Sequence, residues 1–374
     1  MKIWQMDTAG DPDSVDGVAQ VLWPVCERLA DAGHEVTLFV RTPLAPAGAR
    51  RAAAAGFSVV ELLRDRLQVN LGPILARLRV GRPDVVQVHG PLIPQFGAVT
   101  RLCSLLGIRY VYTTHGGLAP EIIGVERTRR RRQLYSGLIE STVLRRASAI
   151  IYCVESERFD VHQITRVHGI ERVIAPPVNP AIFDVQPWQP PSTTRPSVLY
   201  LGRFDPYQKA VDRMVELFRR TPELDLRLVG EPELRDAEAI EGIRRTAPAN
   251  VSFHPPVHGT AKGEVLRSAT MYLQFSRFEG FPVSVAEALT VGIPTAVVTT
   301  LGVARVLEAH DLGLVLSADL HRAGEQLREA TADLPRLLAW SDRSRSYARE
   351  HFTIDAVAAK YLDLYDELDH SQTR

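Results

Sequence analysis

The chain has 374 residues, 24% of them charged, and its 44 basic and 44 acidic side chains cancel to a formal net charge of zero. That length suits two domains with a core each, and the absence of net charge excludes a whole-molecule attraction to nucleic acid or to an anionic membrane. Cys26, Cys103 and Cys153 are unclustered and lack metal-ligand spacing, and no apolar run reaches the ~18 residues of a membrane span, so buried thiols in a soluble cytoplasmic protein are expected.

Residues 1–6, MKIWQM, alternate as a first strand and not as a signal peptide. A polar loop over 7–16 leads to Gly17, after which Val18, Val21, Leu22, Val25 and Leu29 recur at helical spacing as far as the capping Gly33. With a second strand over 36–40 this makes a β-loop-α-β unit, and the glycine at its helix start allows the backbone to approach an anion closely. Asp11 and Asp13 in the same loop read either as solvated residues or as a metal pair. The runs 84–90 and 110–117, DVVQVHG and YVYTTHGG, are strands ending in His-Gly, so His89 and His115 should converge on one crevice. His-Gly-Gly also matches a hydrolase oxyanion loop, but the Gly-x-Ser-x-Gly elbow that such an enzyme needs is absent from the sequence. Arg127, Arg129, Arg130, Arg131 and Arg132 open a helix on which Leu134, Leu138, Ile139 and Leu144 form a narrow apolar stripe. The arginines read as a solvated face or as a patch for acceptor phosphate or a membrane surface. Strands over 149–154 and 173–175 close the first half, and the prolines between 187 and 196 suggest a stiff linker.

The alternation then restarts with strands over 198–201, 224–229 and 251–253 and helices over 210–219 and 238–245. The loop after the first of these strands carries Arg203 and Lys209, a forked and a point-like cation suited to a diphosphate, or else two plain surface charges. An apolar run over 271–275 leads through Ser276-Arg277-Phe278-Glu279-Gly280-Phe281-Pro282 into a helix marked by Val283, Ala286 and Leu289. Glu279 would then lie on the loop at the carboxyl end of a parallel strand and Glu287 in the following helix, while backbone N–H groups from Gly280 to Val283 would attract an anion. Either glutamate alone could be a solvated residue. The apolar helix over 354–368 is expected to cross back to the first domain.

Glu279-Gly-Phe-Pro, the seven residues between the two glutamates, the Gly-Ile-Pro stop, Gly202-Arg203, Lys209 and His115 together resemble the motifs of the retaining, nucleotide-sugar-dependent glycosyltransferases of family four, in that family's order over about residues 1–366. The resemblance implies the α/β fold called GT-B: two Rossmann-like, doubly wound parallel-sheet domains facing across a cleft. Residues 1–186 would bind the acceptor and 187–353 the nucleotide sugar, with a helix over about 354–374 returning to the first domain. It implies that Glu287 holds the ribose, that Glu279 and His115 face the sugar, and that Arg203 and Lys209 neutralise the leaving diphosphate. Gly17, Gly230, Val257, Gly280, Phe281, Pro282 and Val283 would line the donor, and Asp16 and His89 are acceptor-side candidates. The implied reaction moves a hexose-type sugar, with retention, from a UDP-sugar in preference to a GDP-sugar. The receiving hydroxyl belongs to a glycan, lipid-linked or small-molecule acceptor, and no metal, other cofactor or nucleic acid takes part. The chain departs from the family at Asp16-Gly17, where two glycines are usual, at Ala210, which stands for a glycine, at 176–179 and at His254-Pro255-Pro256. A GT-B epimerase or phosphorylase, or a non-catalytic sugar-nucleotide binder, remains open on the residues alone.

Overall fold

Strands buried on both faces read as unbroken apolar runs, and in the computed structural model, which describes residues 1–7, 17–62, 69–123, 129–192 and 195–370, such runs form the inner strands of two parallel sheets. The first holds β1 (Lys2–Met6), β2 (Glu35–Val40), β3 (Ser58–Glu61), β4 (Val85–His89), β5 (Arg109–Thr113), β6 (Ala149–Tyr152) and β7 (Ile170–Val173) in the order β3-β2-β1-β4-β5-β6-β7. The second holds β8 (Ser197–Leu201), β9 (Asp225–Val229), β10 (Val251–His254), β11 (Met271–Gln274), β12 (Thr295–Val298) and β13 (Gly313–Leu316) in the order β10-β9-β8-β11-β12-β13. Strand order reverses between β1 and β4 in one sheet and between β8 and β11 in the other. These are the points at which loops part and an open α/β sheet offers a crevice.

The chain forms two compact units, Met1–Pro176 with Ile354–Arg374 and Pro177–Thr353. In the first, alternate residues of each strand serve opposite faces: Ile3 packs with Leu22 and Trp23 of the helix Gly17–Asp31, whereas Trp4 packs with Phe39 and Phe96. The helix Ile354–His370 supplies Tyr361, Leu364, Tyr365 and Leu368 to the first face, at the spacing of a single apolar stripe. It therefore belongs to the first unit although it follows the second in sequence. In the second unit the helix Val283–Val291 is buried from Val285 onward and ends at Gly292, whose φ of +82° makes a left-handed cap.

Two sequence expectations change. The boundary expected at 186/187 falls at 176/177, and the proline-rich stretch is no free spacer. Buried Trp188 donates from Nε1 to the Ala269 carbonyl (2.7 Å) and from its backbone N to Val291 (3.0 Å). The expected apolar stripe after the arginines is broken, because Arg129–Tyr135 runs into a π-helical turn, Ser136–Glu140, before Ser141–Arg146. A wider turn shifts the angular register, leaving Leu134, Leu138 and Ile139 exposed while Leu144 is buried. Asp11, Asp13, Asp16 and Arg127 lie outside the described residues. No helix among the described residues is long and apolar enough to cross a membrane.

Candidate functional site

At the β8/β11 crevice the two flanking loops are tied to each other. Asp205 Oδ1 accepts from the backbone N–H groups of Tyr207 (2.8 Å) and Gln208 (2.7 Å), which curls the loop after β8 into an Asx turn. From the loop after β11, Arg277 donates to the carbonyls of Pro206 (2.9 Å) and Tyr207 (2.7 Å) and forks onto Asp212 (3.1 and 2.8 Å). Ala210, which stands where the resemblance has a glycine, adopts φ +55°, ψ +43°. A left-handed residue is needed there, and alanine occupies the position at a cost of roughly 1–2 kcal/mol.

Each expected cation in this unit is matched to a carboxylate. Lys209 Nζ donates to Glu279 Oε1 across the crevice, joining the two loops, and neither side chain is more than 19% exposed. Arg203 pairs with Glu233, donates to Gln208 Oε1 (3.2 Å) and lies 3.6 Å from Asp205. Glu287, 3% exposed, accepts from Lys262 Nζ at 2.9 Å. Burial pushes the Glu287 carboxyl up from its usual range, and the Lys262 ammonium pulls it back down. Gly280 and Phe281 continue the loop after Glu279, and buried Pro282 caps the helix that Val283 opens. Beneath the start of that helix Tyr272 Oη lies 2.5 Å from Gln274 Oε1 and 2.8 Å from Ser284 Oγ, and Gln274 Nε2 donates to Ser276 Oγ (2.6 Å). Gly230 brings the loop after β9 against the loop after β8: a Cβ there would stand 1.9 Å from the Gly202 carbonyl oxygen, at φ +153°. Val257 is half-buried on the segment after β10, two strands from β8.

The expected histidines belong to the first unit and touch. His89 Nδ1 lies 3.0 Å from His115 Nε2, His89 Nε2 lies 2.9 Å from Gln5 Oε1, and His115 Nδ1 faces the Cys153 sulfur at 3.7 Å. Burial pushes His89 well below its ordinary range and His115 down to about 4, so both rings are neutral at pH 7. Gln5 offers its oxygen to His89 because its Nε2 donates to Tyr365 Oη (2.9 Å), so the His89 proton sits on Nε2. His89 Nδ1 then accepts from His115 Nε2–H. The series continues from Tyr365 to Gln87, and from Gln87 Nε2 to Thr113 Oγ1 (2.8 Å). His89 is thus buried with both nitrogens engaged, while His115 is half-buried at φ +46°. Gly17 opens the first helix of this unit.

Lys262, Arg277 and Gln5 were not singled out from the sequence. Lys262 meets Glu287 from another helix, a pairing without local periodicity. Arg277 adjoins the Glu279 loop and could have been flagged by that adjacency. Among the described residues no group of three His, Cys, Asp or Glu side chains could hold a metal ion.

The family model for Glycosyltransferase Family 4 matches residues 15–181, and the model for Glycosyl transferases group 1 matches residues 183–346. The lipopolysaccharide glucosyltransferase WaaG of Escherichia coli (strain K12) is 28% identical over 152 residues, a match that takes in 38% of this chain and only 39% of that protein. Among solved structures, sucrose-phosphate synthase from Thermosynechococcus elongatus gives a TM-score of 0.80 at 18% identity, covering 99% of each chain. HepE of Anabaena in complex with UDP-glucose gives 0.76 at 15% identity, covering 98% of this chain and 100% of that one. At these identities the structural likeness shows the fold, which is GT-B. Two family models end to end over two parallel-sheet units, with the paired glutamates and their lysines in the second, mean that the chain belongs to the glycosyltransferases of family-four type.

Proposed function

We propose that the protein is a retaining hexosyltransferase, using a UDP-sugar and a hydroxyl acceptor without a divalent metal. The observation that carries this reading is the Lys209–Glu279 pair across the β8/β11 crevice. The C1–O bond to the diphosphate breaks as C1 bonds to the acceptor oxygen, and the acceptor's proton passes to the departing phosphate on the same face. Positive charge grows on the sugar ring beside Glu279, and negative charge grows on the diphosphate beside Lys209 and Arg203. Groups positioned where charge develops are the largest catalytic resource such a site has, and two fixed cations do the work that a metal would otherwise do. Glu287 binds the ribose hydroxyls, and His115 acts on the sugar. UDP is favoured because HepE, a neighbour in fold, is described with UDP and with UDP-glucose. Exposed Leu134, Leu138 and Ile139 near Arg130 and Arg132 favour a lipid-linked acceptor and weak membrane-surface contact at the cytoplasmic side.

Kinetics and calorimetry on the same variants test the assignment. Glu279→Gln and His115→Ala should lower turnover at saturating donor while leaving UDP affinity near wild type, whereas Glu287→Ala should cost ~1.5–3 kcal/mol of UDP affinity. Wild-type turnover in Glu279→Gln would overturn the sugar-facing role. Activity abolished by EDTA and restored by manganese would overturn metal independence. Product formed from donor alone would instead point to an epimerase.

A further inference from the structure

We propose that Lys262 is a positioning residue for the donor: it holds one oxygen of the Glu287 carboxylate so that the group stays ionised and its second oxygen is presented to the ribose hydroxyls. The proposal rests on the reading of Glu287 as the ribose-binding group. Lys262 lies on the helix Thr260–Arg267, and Glu287 lies on the helix Val283–Val291, which packs against it. Their bond at 2.9 Å engages Oε1 and leaves Oε2 without a partner among the described residues.

The residue next to the lysine packs tightly on another segment. A Cβ on Gly263 would stand 2.4 Å from Val185 Cγ2, so glycine lets this helix lie close against Val185, and the neighbouring Lys262 meets a carboxylate that is 3% exposed. An exposed ion pair would do little here. A buried carboxylate differs, because without a counter-charge it takes up a proton in preference to remaining charged. Once protonated it accepts hydrogen bonds weakly, and two ribose hydroxyls then compete with its own proton.

The surroundings leave this task to Lys262. Tyr272 of β11 faces Glu287 with a phenol that burial keeps neutral. β12 (Thr295–Val298) and the helix Pro180–Phe183, also packed against this helix, carry no titratable side chain. The helix Leu334–His351 brings Arg345 to Gly292, beyond the opposite end of the Val283–Val291 helix. Among the described residues, Lys262 carries the charge that favours ionised Glu287.

The test is the dissociation constant of UDP and of 2′-deoxy-UDP, by calorimetry from about pH 6 to about pH 8.5, for wild type, Lys262→Met, Lys262→Arg and Glu287→Gln. Taking the ratio to wild type at each pH cancels the titration of the diphosphate itself. Lys262→Met should weaken UDP on the order of tenfold at the acid end, with affinity recovering as pH rises and Glu287 ionises, and should lose the preference for UDP over 2′-deoxy-UDP where binding is weak. Lys262→Arg should follow wild type. Lys262→Gln, which keeps a donor and removes the charge, gives the same answer should the methionine variant not fold. A pH-independent ratio near one for Lys262→Met or Lys262→Gln, beside a weakened Glu287→Gln, overturns this inference alone. Glu287→Gln binding UDP as wild type does overturns the ribose assignment beneath it.

Discussion

A methyl group at position 230 has nowhere to go, since the Gly202 carbonyl already fills the space and the backbone lies at φ +153°. Gly230→Ala should therefore cost roughly 1–3 kcal/mol in backbone strain alone, before the clash is counted. A fall in Tm of several degrees, with weaker UDP binding because the loops after β8 and β9 are pushed apart, is the expected result. Ala210→Gly runs the other way. It removes the left-handed strain of roughly 1–2 kcal/mol against a smaller entropic loss, so differential scanning should show a raised Tm. Both positions show what could be read from the chain at this scale. Arg203, Lys209, Glu279 and Glu287 stand out because their spacing along loops and one helix is local. Lys262 and Gln5 acquire their meaning from partners on other elements, Glu287 and His89, and no window of sequence contains both members of either pair.

At the scale of the element, the π turn and the helix Glu155–Ile164 each carry a buried carboxyl that anchors a segment near the histidines. Glu140 accepts from Tyr112 Oη, and Glu157 Oε2 accepts from Thr114 Oγ1 while its Oε1 has no partner. Burial pushes both carboxyls up to about 7. A folded value above the unfolded one means that the native state holds the extra proton, so each carboxyl stabilises the fold fully in acid and loses that contribution as pH rises through about 7. The neutral histidines act in the opposite sense, because His115, down at about 4, makes the unfolded chain the better proton binder and raises stability as pH increases toward its ordinary value. The wild-type profile is a difference of the two, and substitution separates them. Relative to wild type, Glu157→Gln should gain in Tm steadily as pH rises from about 5 to about 7. A Tm difference that is constant with pH would show that Glu157 is ionised throughout. The arginines and leucines of this region read as a uniform helix, and the widened turn, which carries buried Glu140, has no repeating pattern that would mark it.

For the whole molecule, the alternation of apolar runs with helical spacing was enough to foresee two parallel sheets and the returning helix. The division between units was harder to place, because proline content marks stiffness and does not say which side a stiff segment packs on. Val178, whose backbone N donates to the Phe352 carbonyl, and Val185, which lies against Gly263, decide it. The position of that division has a topological consequence. The second unit begins at Pro177 and ends at Thr353, and immediately inside those limits Val178 N donates to Phe352 O at 2.8 Å. Its two ends are pinned side by side, so in sequence the second unit is an insertion into the first, and it can be excised without cutting a strand or a helix. Expressed alone, residues 177–353 should fold and bind UDP with the same loss on Glu287→Ala as the full chain. An excised piece that folds but binds no UDP would show that residues 177–353 do not hold the nucleotide by themselves.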